Sequence, residues 1–149
     1  MSKVQESIDV DVPIGTAYNQ WTQFEDFPKF MDGVEEITQL DARHNHWKTK
    51  IAGVSREFDT EIVDQVPDDH VAWRTTSGDV KQTGMVRFEP IDATRTRVMM
   101  EMDFQPGGMA EKAADMMGVL DRQVKGDLKR FKHFIEERGT ASGGYRGRL

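Results

Sequence analysis

His44 and His46 stand two residues apart, so on an extended chain both imidazoles project from one face, a geometry that can begin a metal site. Lys48 and Lys50 share that face. Cations so close oppose a divalent ion, so the face reads as solvated and no metal is expected. His70 borders a turn and His133 lies in a helical stretch; neither has a Ser or Asp at the spacing of a nucleophilic triad. Cysteine is absent, which removes disulfides, thiolate catalysis and thiolate metal sites. There is no Walker loop and no Gly-x-Gly-x-x-Gly, so the commonest nucleotide cradles are missing. What remains is Arg56, the polar member of an otherwise apolar strand face. Its rigid fork of donors suits a carboxylate, a phenolate or a quinone oxygen. Always protonated, it can position or stabilise an enolate but is a poor base. The competing reading is that it snorkels to water from the frayed start of its strand.

The chain that must position these groups has 149 residues. That is about one domain's worth, enough to bury roughly 68–70% of the unfolded surface. With 37% hydrophobic and 31% charged residues the composition is that of an ordinary soluble globular protein. No run approaches the ~18 consecutive apolar residues of a membrane span, and no charged start leads into an apolar core as in a secretory signal. A cytoplasmic location without a transmembrane segment is therefore the expectation. A net charge of -6 repels a phosphate backbone, so no nucleic-acid partner is expected. The basic group Lys125, Lys129, Arg130 and Lys132 is interrupted by Asp127 and reads as a solvated helix face.

Val4, Ile8, Val10 and Val12 alternate as in a half-buried strand, with Glu6 breaking the set, and Pro13 stops it. Ile14, Ala17, Tyr18 and Trp21 then fall at helical spacing, and Phe24, Phe27, Phe30 and Met31 around Pro28 form a second short helical elbow. From Val34 to Phe104 the period is that of strands, divided by turns at 41–43, 53, 67–69, 77–79 and 92–95. With the first, about seven hairpin-linked antiparallel strands result. After Pro106-Gly107-Gly108 an apolar stripe, Ala113, Met117, Leu120, Val124, Leu128, Phe131 and Ile135, predicts one long amphipathic helix ending at Arg138 before Gly139. Residues 1–139 read as one domain and the Gly- and Ser-rich residues 140–149 as a disordered tail.

Alternation also sorts the strand faces. The even positions Val54, Phe58, Ile62 and Val66 are apolar whereas the odd ones include Glu57, Asp59 and Glu61, so the even face points inward. The same rule turns Trp47, Ile51, Val71, Trp73, Val86, Phe88, Val98, Met100, Met102 and Phe104 inward, with Met117, Leu120 and Val124 from the helix and Met116 at its edge. Thr75 and Gln82 share the inward parity and could hydrogen-bond a guest. Six of the nine methionines lie at 99, 100, 102, 109, 116 and 117. Flexible thioethers there either reshape around an irregular apolar guest or simply fill core gaps; Trp21, Phe24, Phe27 and Phe30 read as core.

The stretches VDVPIGTAYNQWTQFEDFPKFMDGVEEI, VAWRTTSGD, GMVRFEPIDATRTRVMMEMDFQPGG and DLKRFKHFIEERG span most of residues 4 to 139. In them the chain resembles the START-like superfamily known as SRPBCC, in its polyketide cyclase/dehydrase or coenzyme-Q-binding-protein-like branch. The resemblance implies an α+β helix-grip fold, a curved antiparallel sheet of about seven strands wrapped around a long C-terminal helix, with two short helices after the first strand. It also implies a cavity for a hydrophobic ligand. The branch includes lipid and quinone carriers, aromatase/cyclases and a ribosome-associating group, and no motif carries catalytic residues over. The candidate ligand site is the inward set Trp47, Arg56, Phe58, Ile62, Trp73, Thr75, Phe88, Met100, Met102, Phe104, Met116, Met117, Leu120 and Val124. Two functions stand: binding of a lipid, quinone or polyketide-like molecule without cofactor, or a cyclase/aromatase-like reaction in the same cavity aided by groups such as Arg56 or Thr75. The acidic charge disfavours a ribosomal partner, and the oligomeric state is left open.

Overall fold

The computed structural model describes residues 2–31, 33–51, 53–78, 81–105, 110–141 and 143, the side chains at 2, 51, 54, 104, 105 and 110–120 excepted. Seven strands, β1 (Ser2–Val10), β2 (Val34–Gln39), β3 (His44–Ile51), β4 (Val54–Val66), β5 (His70–Gly78), β6 (Lys81–Asp92) and β7 (Arg95–Gln105), form one curled antiparallel sheet in the order β1-β7-β6-β5-β4-β3-β2. The first strand pairs with the last, Val4 opposite Met102 and Ile8 opposite Val98. The helix α1 (Ile14–Trp21) and the 3-10 elbow η1 (Phe24–Lys29) therefore carry the chain from one sheet edge to the other. The long helix α2 (Ala110–Arg138) completes the helix-grip arrangement expected from the sequence.

Pro13 opens α1, accepting the first-turn N–H groups of Thr16 and Ala17 on its carbonyl. Tyr18 and Trp21 on its inner face are fully buried. Trp21 meets Phe27, Phe30, Phe88 and Phe131 with ring centroids 4.9–6.4 Å apart, those of Phe88 and Phe131 at steep angles that set a ring edge against a face. This cluster ties α1, η1, β6 and α2 together. Trp21, Phe24, Phe27 and Phe30 are all core. Strand β1 ends at Val10, two residues earlier than its alternation predicts; Val12 stays buried because its carbonyl accepts the Thr96 hydroxyl at 2.9 Å.

The described half of α2 buries Val124, Leu128, Phe131 and Ile135 of the predicted stripe. Polar contacts fix it laterally. Arg130 Nε donates to the Phe30 carbonyl at 2.9 Å, Lys132 Nζ to the Asp9 carbonyl at 3.0 Å, and Glu136 accepts the Asp11 N–H at 2.8 Å and Lys132 Nζ at 2.6 Å. Glu6, the residue that interrupts the β1 alternation, lies beside Asp121 and Lys125, the predicted helical pair, whose own separation is 3.4 Å. Its hydrogen bond with Asp121 raises the Glu6 carboxyl above its ordinary range. The basic residues Lys125, Arg130 and Lys132 are thus committed within the chain.

Burial works against the Glu136 charge, but the hydrogen bonds from Lys132 and the Asp11 amide outweigh it and hold the carboxyl below its usual range. A depressed carboxyl contributes stability that is present above its unfolded pKa and lost as pH falls through the folded one. Glu136→Gln is expected to cost about 1 kcal/mol at neutral pH and to flatten the decline toward acid. Urea unfolding at neutral pH and near pH 4 checks this; an unchanged acid slope would contradict it.

Candidate functional site

The register lays the inner face out in rows. Ile62 lies opposite Trp73, Trp73 opposite Gly84, Gly84 opposite Met102 and Met102 opposite Val4, an apolar row across five strands. A Cβ at Gly84 would come within 2.5 Å of Trp73 Cε2, so the absent side chain is what lets the indole lie across β6. The next row is polar. Asn45 lies opposite Thr60 and Thr60 opposite Thr75, whose hydroxyl accepts the Gln82 N–H at 3.1 Å and donates to the Gln82 carbonyl at 3.2 Å. Beyond it Trp47 and Phe58 are paired across the strands, rings stacked at 5.7 Å and 12°.

Where this polar row passes beneath the elbow a cleft of about 10 Å³ opens, close to the volume that one water-sized group fills. Phe24 and Phe27 from η1 roof it; Asn45 and Trp47 of β3, Thr60 and Ile62 of β4 and Trp73 of β5 floor it. Trp47 Nε1 donates to Thr60 Oγ1 at 2.8 Å. Asn45 Oδ1 and Trp73 Nε1, on residues 1% and 7% exposed, meet no hydrogen-bond partner among the described residues. Leaving such groups unpaired costs about 1–3 kcal/mol each, so they are an unusual pair to find at one cleft.

The candidate residues divide. Trp47, Ile62 and Trp73 line the cleft, and Phe58 backs Trp47. Phe88 instead packs against Tyr18 and Trp21 in the aromatic core. Met100 and Val124 are buried, and Met102 is partly buried against the core. Arg56 is half-buried on the inner parity, and among the described residues no carboxylate or carbonyl accepts from its guanidinium. The side chains of Phe104, Met116, Met117 and Leu120 lie outside the described residues. Asn45 and Thr60 are cleft residues that the search for apolar inward positions passed over. Their parity with Trp47 and Phe58 was the available signal. After Ile62 a register shift in β4 reverses the faces, so Asp64 is exposed, Gln65 is buried and Val66, expected inside, is half-buried.

The outer face is ionic. His46 Nδ1 lies 2.5 Å from Asp59 Oδ1, its cross-strand partner, and Nε2 lies 3.0 Å from Glu57 Oε1. The Asp59 hydrogen bond, then that of Glu57, raises the imidazole above its ordinary pKa. This contribution is complete below the unfolded value of about 6.5 and is lost as pH rises through the raised folded value. For so exposed a pair the slope is expected to be a few tenths of a kcal/mol. Urea unfolding at about pH 6 and pH 9 would show it, and His46→Gln would abolish it; a variant with the full slope refutes the assignment.

The family described as polyketide cyclase/dehydrase and lipid transport matches residues 10–132. The chain belongs to this family. A relative from Streptomyces lincolnensis, an uncharacterized 17.2 kDa protein of the melC2-rnhH intergenic region, is 56% identical over 147 residues, covering 99% of this chain and 98% of that protein. Among solved structures, the Zhui aromatase/cyclase of a Streptomyces species superposes with a TM-score of 0.78 at 18% identity, over 96% of this chain and 98% of that one. A START superfamily protein from Mycobacterium smegmatis gives 0.69 at 18% identity, over 87% and 99%. At that identity these likenesses establish the START-like fold. Family membership supports a ligand-binding or cyclase role, with a hydrophobic small molecule as partner. No helix among the described residues is long and apolar enough to cross a membrane.

Proposed function

We propose that this polyketide cyclase/dehydrase family member is a cytoplasmic binding protein whose cavity, between sheet and α2, holds a hydrophobic ring-containing molecule of the quinone, lipid or polyketide-like kind. The observation that supports this most is the inner face itself. Trp47, Phe58, Ile62 and Trp73 present aromatic and aliphatic surface, and Arg56 is an ionisable group beside them. A site of this make-up binds by apolar burial with a few fixed polar groups, and around these four side chains no paired acid and base of proton-transfer chemistry is found among the described residues. Native mass spectrometry of freshly purified protein, with organic extraction of whatever it carries, tests the reading. The same small molecule recovered across preparations is the expected result; repeated preparations free of any adduct, together with failure to bind added aromatic compounds, would overturn it.

The half-buried guanidinium of Arg56, uncommitted among the described residues, favours a second reading, a cyclase that stabilises an enolate in a folded poly-ketone chain. Shape would supply orientation and Arg56 the electrostatics. Arg56→Ala should then lower cyclisation of a poly-β-keto thioester by about two to three orders of magnitude, the scale of losing one oxyanion donor. Equal product from both proteins would remove Arg56 from any mechanism.

A further inference from the structure

We propose that the polar row formed by Asn45 and Thr60 is a hydroxyl-recognition subsite, which makes the preferred ligand a neutral alcohol or phenol on an apolar ring skeleton. This rests on the binding reading above and narrows its ligand class.

The cleft holds buried polar groups without partners among the described residues. Asn45 is 1% exposed, and its Oδ1 meets no donor among the described residues. Thr60, 1% exposed and directly opposite on β4, accepts from Trp47 Nε1, which leaves its own hydroxyl proton uncommitted among the described residues. The floor therefore offers an acceptor beside a donor. A hydroxyl both donates and accepts and can meet the two at once. A quinone carbonyl only accepts and would leave Asn45 Oδ1 unpaired. A carboxylate only accepts as well, and no cation lines this cleft to receive its charge.

The surroundings point the same way. The cleft has room for about one water-sized group, a match for a hydroxyl and too small for a ring. The apolar row of Ile62 and Trp73 on one side and the Trp47–Phe58 stack on the other provide surfaces for the skeleton that bears it. Farther along the polar row, the Gln82 side-chain amide has no partner among the described residues, while Thr75 is occupied by the Gln82 backbone. Trp73 Nε1 adds a second unpaired donor at the cleft wall.

Calorimetric titration of the intact protein with naphthalene, 2-naphthol and 2-naphthoate at neutral pH tests the assignment. The expected result is 2-naphthol bound about tenfold more tightly than either of the others, the scale of one well-made hydrogen bond to a buried group. Asn45→Leu should reduce the naphthol-to-naphthalene ratio to below about twofold while raising the melting temperature, because an unpaired buried amide gives way to an apolar side chain of similar size. Should that variant not fold, Trp73→Phe, which keeps a ring and removes the other unpaired donor, is expected to reduce the ratio about threefold. Equal binding of naphthol and naphthalene, or a ratio untouched by substitution, overturns the subsite and leaves the hydrophobic-binding reading standing. Naphthoate bound as tightly as naphthol assigns recognition to Arg56 and overturns it as well. Binding of none of the three overturns both.

Discussion

Trp21→Ala is expected to remove about 3–5 kcal/mol of unfolding free energy, the usual cost of emptying a buried aromatic site. The side chain is fully buried, and its ring touches four other aromatics drawn from η1, β6 and α2. Four rigid rings border the resulting void, so little of it can close on those sides by side-chain rotation. Trp21→Phe separates volume from polarity. The indole Nε1 has no partner among the described residues, so phenylalanine forfeits no hydrogen bond there, and a loss of about 1.5 kcal/mol or less is expected. Urea unfolding measures both. An alanine variant that loses less than about 1.5 kcal/mol would mean that the site collapses and that the four elements are not held through this ring.

Gly78→Ala is the second large effect. Gly78 has φ +113, and a Cβ there would lie 2.5 Å from the Glu57 carbonyl oxygen and 2.5 Å from Phe58 Cα, both backbone atoms. The close approach arises because Gly78 pairs with Phe58 just before the register shift at Asp59/Thr60. Backbone strain of about 1–3 kcal/mol adds to a steric cost of about 1–3 kcal/mol. The melting temperature should fall by roughly 6–15 °C for a chain of this size. Gly53 is the internal comparison, with φ +80 and open space around its Cβ position. Gly53→Ala carries the strain without the collision and should lose about 1 kcal/mol. If the two variants melt together, the collision at Gly78 is relieved by β5 swinging away and contributes nothing.

How much of this was legible in the sequence depended on whether a signal was periodic. The strands from His44 to Ile51 and from Val54 to Val66, and the end of the long helix at Arg138, lie where alternation, helical spacing and Gly139 place them. Burial over a whole face drives those patterns. Local events do not leave such a mark. The shift between Ile62 and Asp64 sends Gln65 inward and Asp64 outward, because one extra residue in a strand reverses every later side chain. Asn45 and Thr60 escaped for a different reason: a rule that finds the inside by looking for apolar residues discards the polar ones that a ligand would need. The side chains of Met116 and Met117 lie outside the described residues, so the methionine-lined part of the expected cavity rests on sequence alone.

The sheet is open, with β1 and β2 at its two ends. At β1 the Asp9 carbonyl is taken by Lys132, and just beyond the strand the Asp11 amide is taken by Glu136. At the other end β2 is six residues long, carries Glu35 and Glu36, and has its pairing interrupted between Val34 and Glu36. A seven-strand sheet with two bare, flat margins would template further strands from other chains. Here one margin is occupied by the protein's own helix and the other is short, acidic and irregular. The protein can therefore keep an open, curved sheet for its cavity while resisting edge-to-edge aggregation.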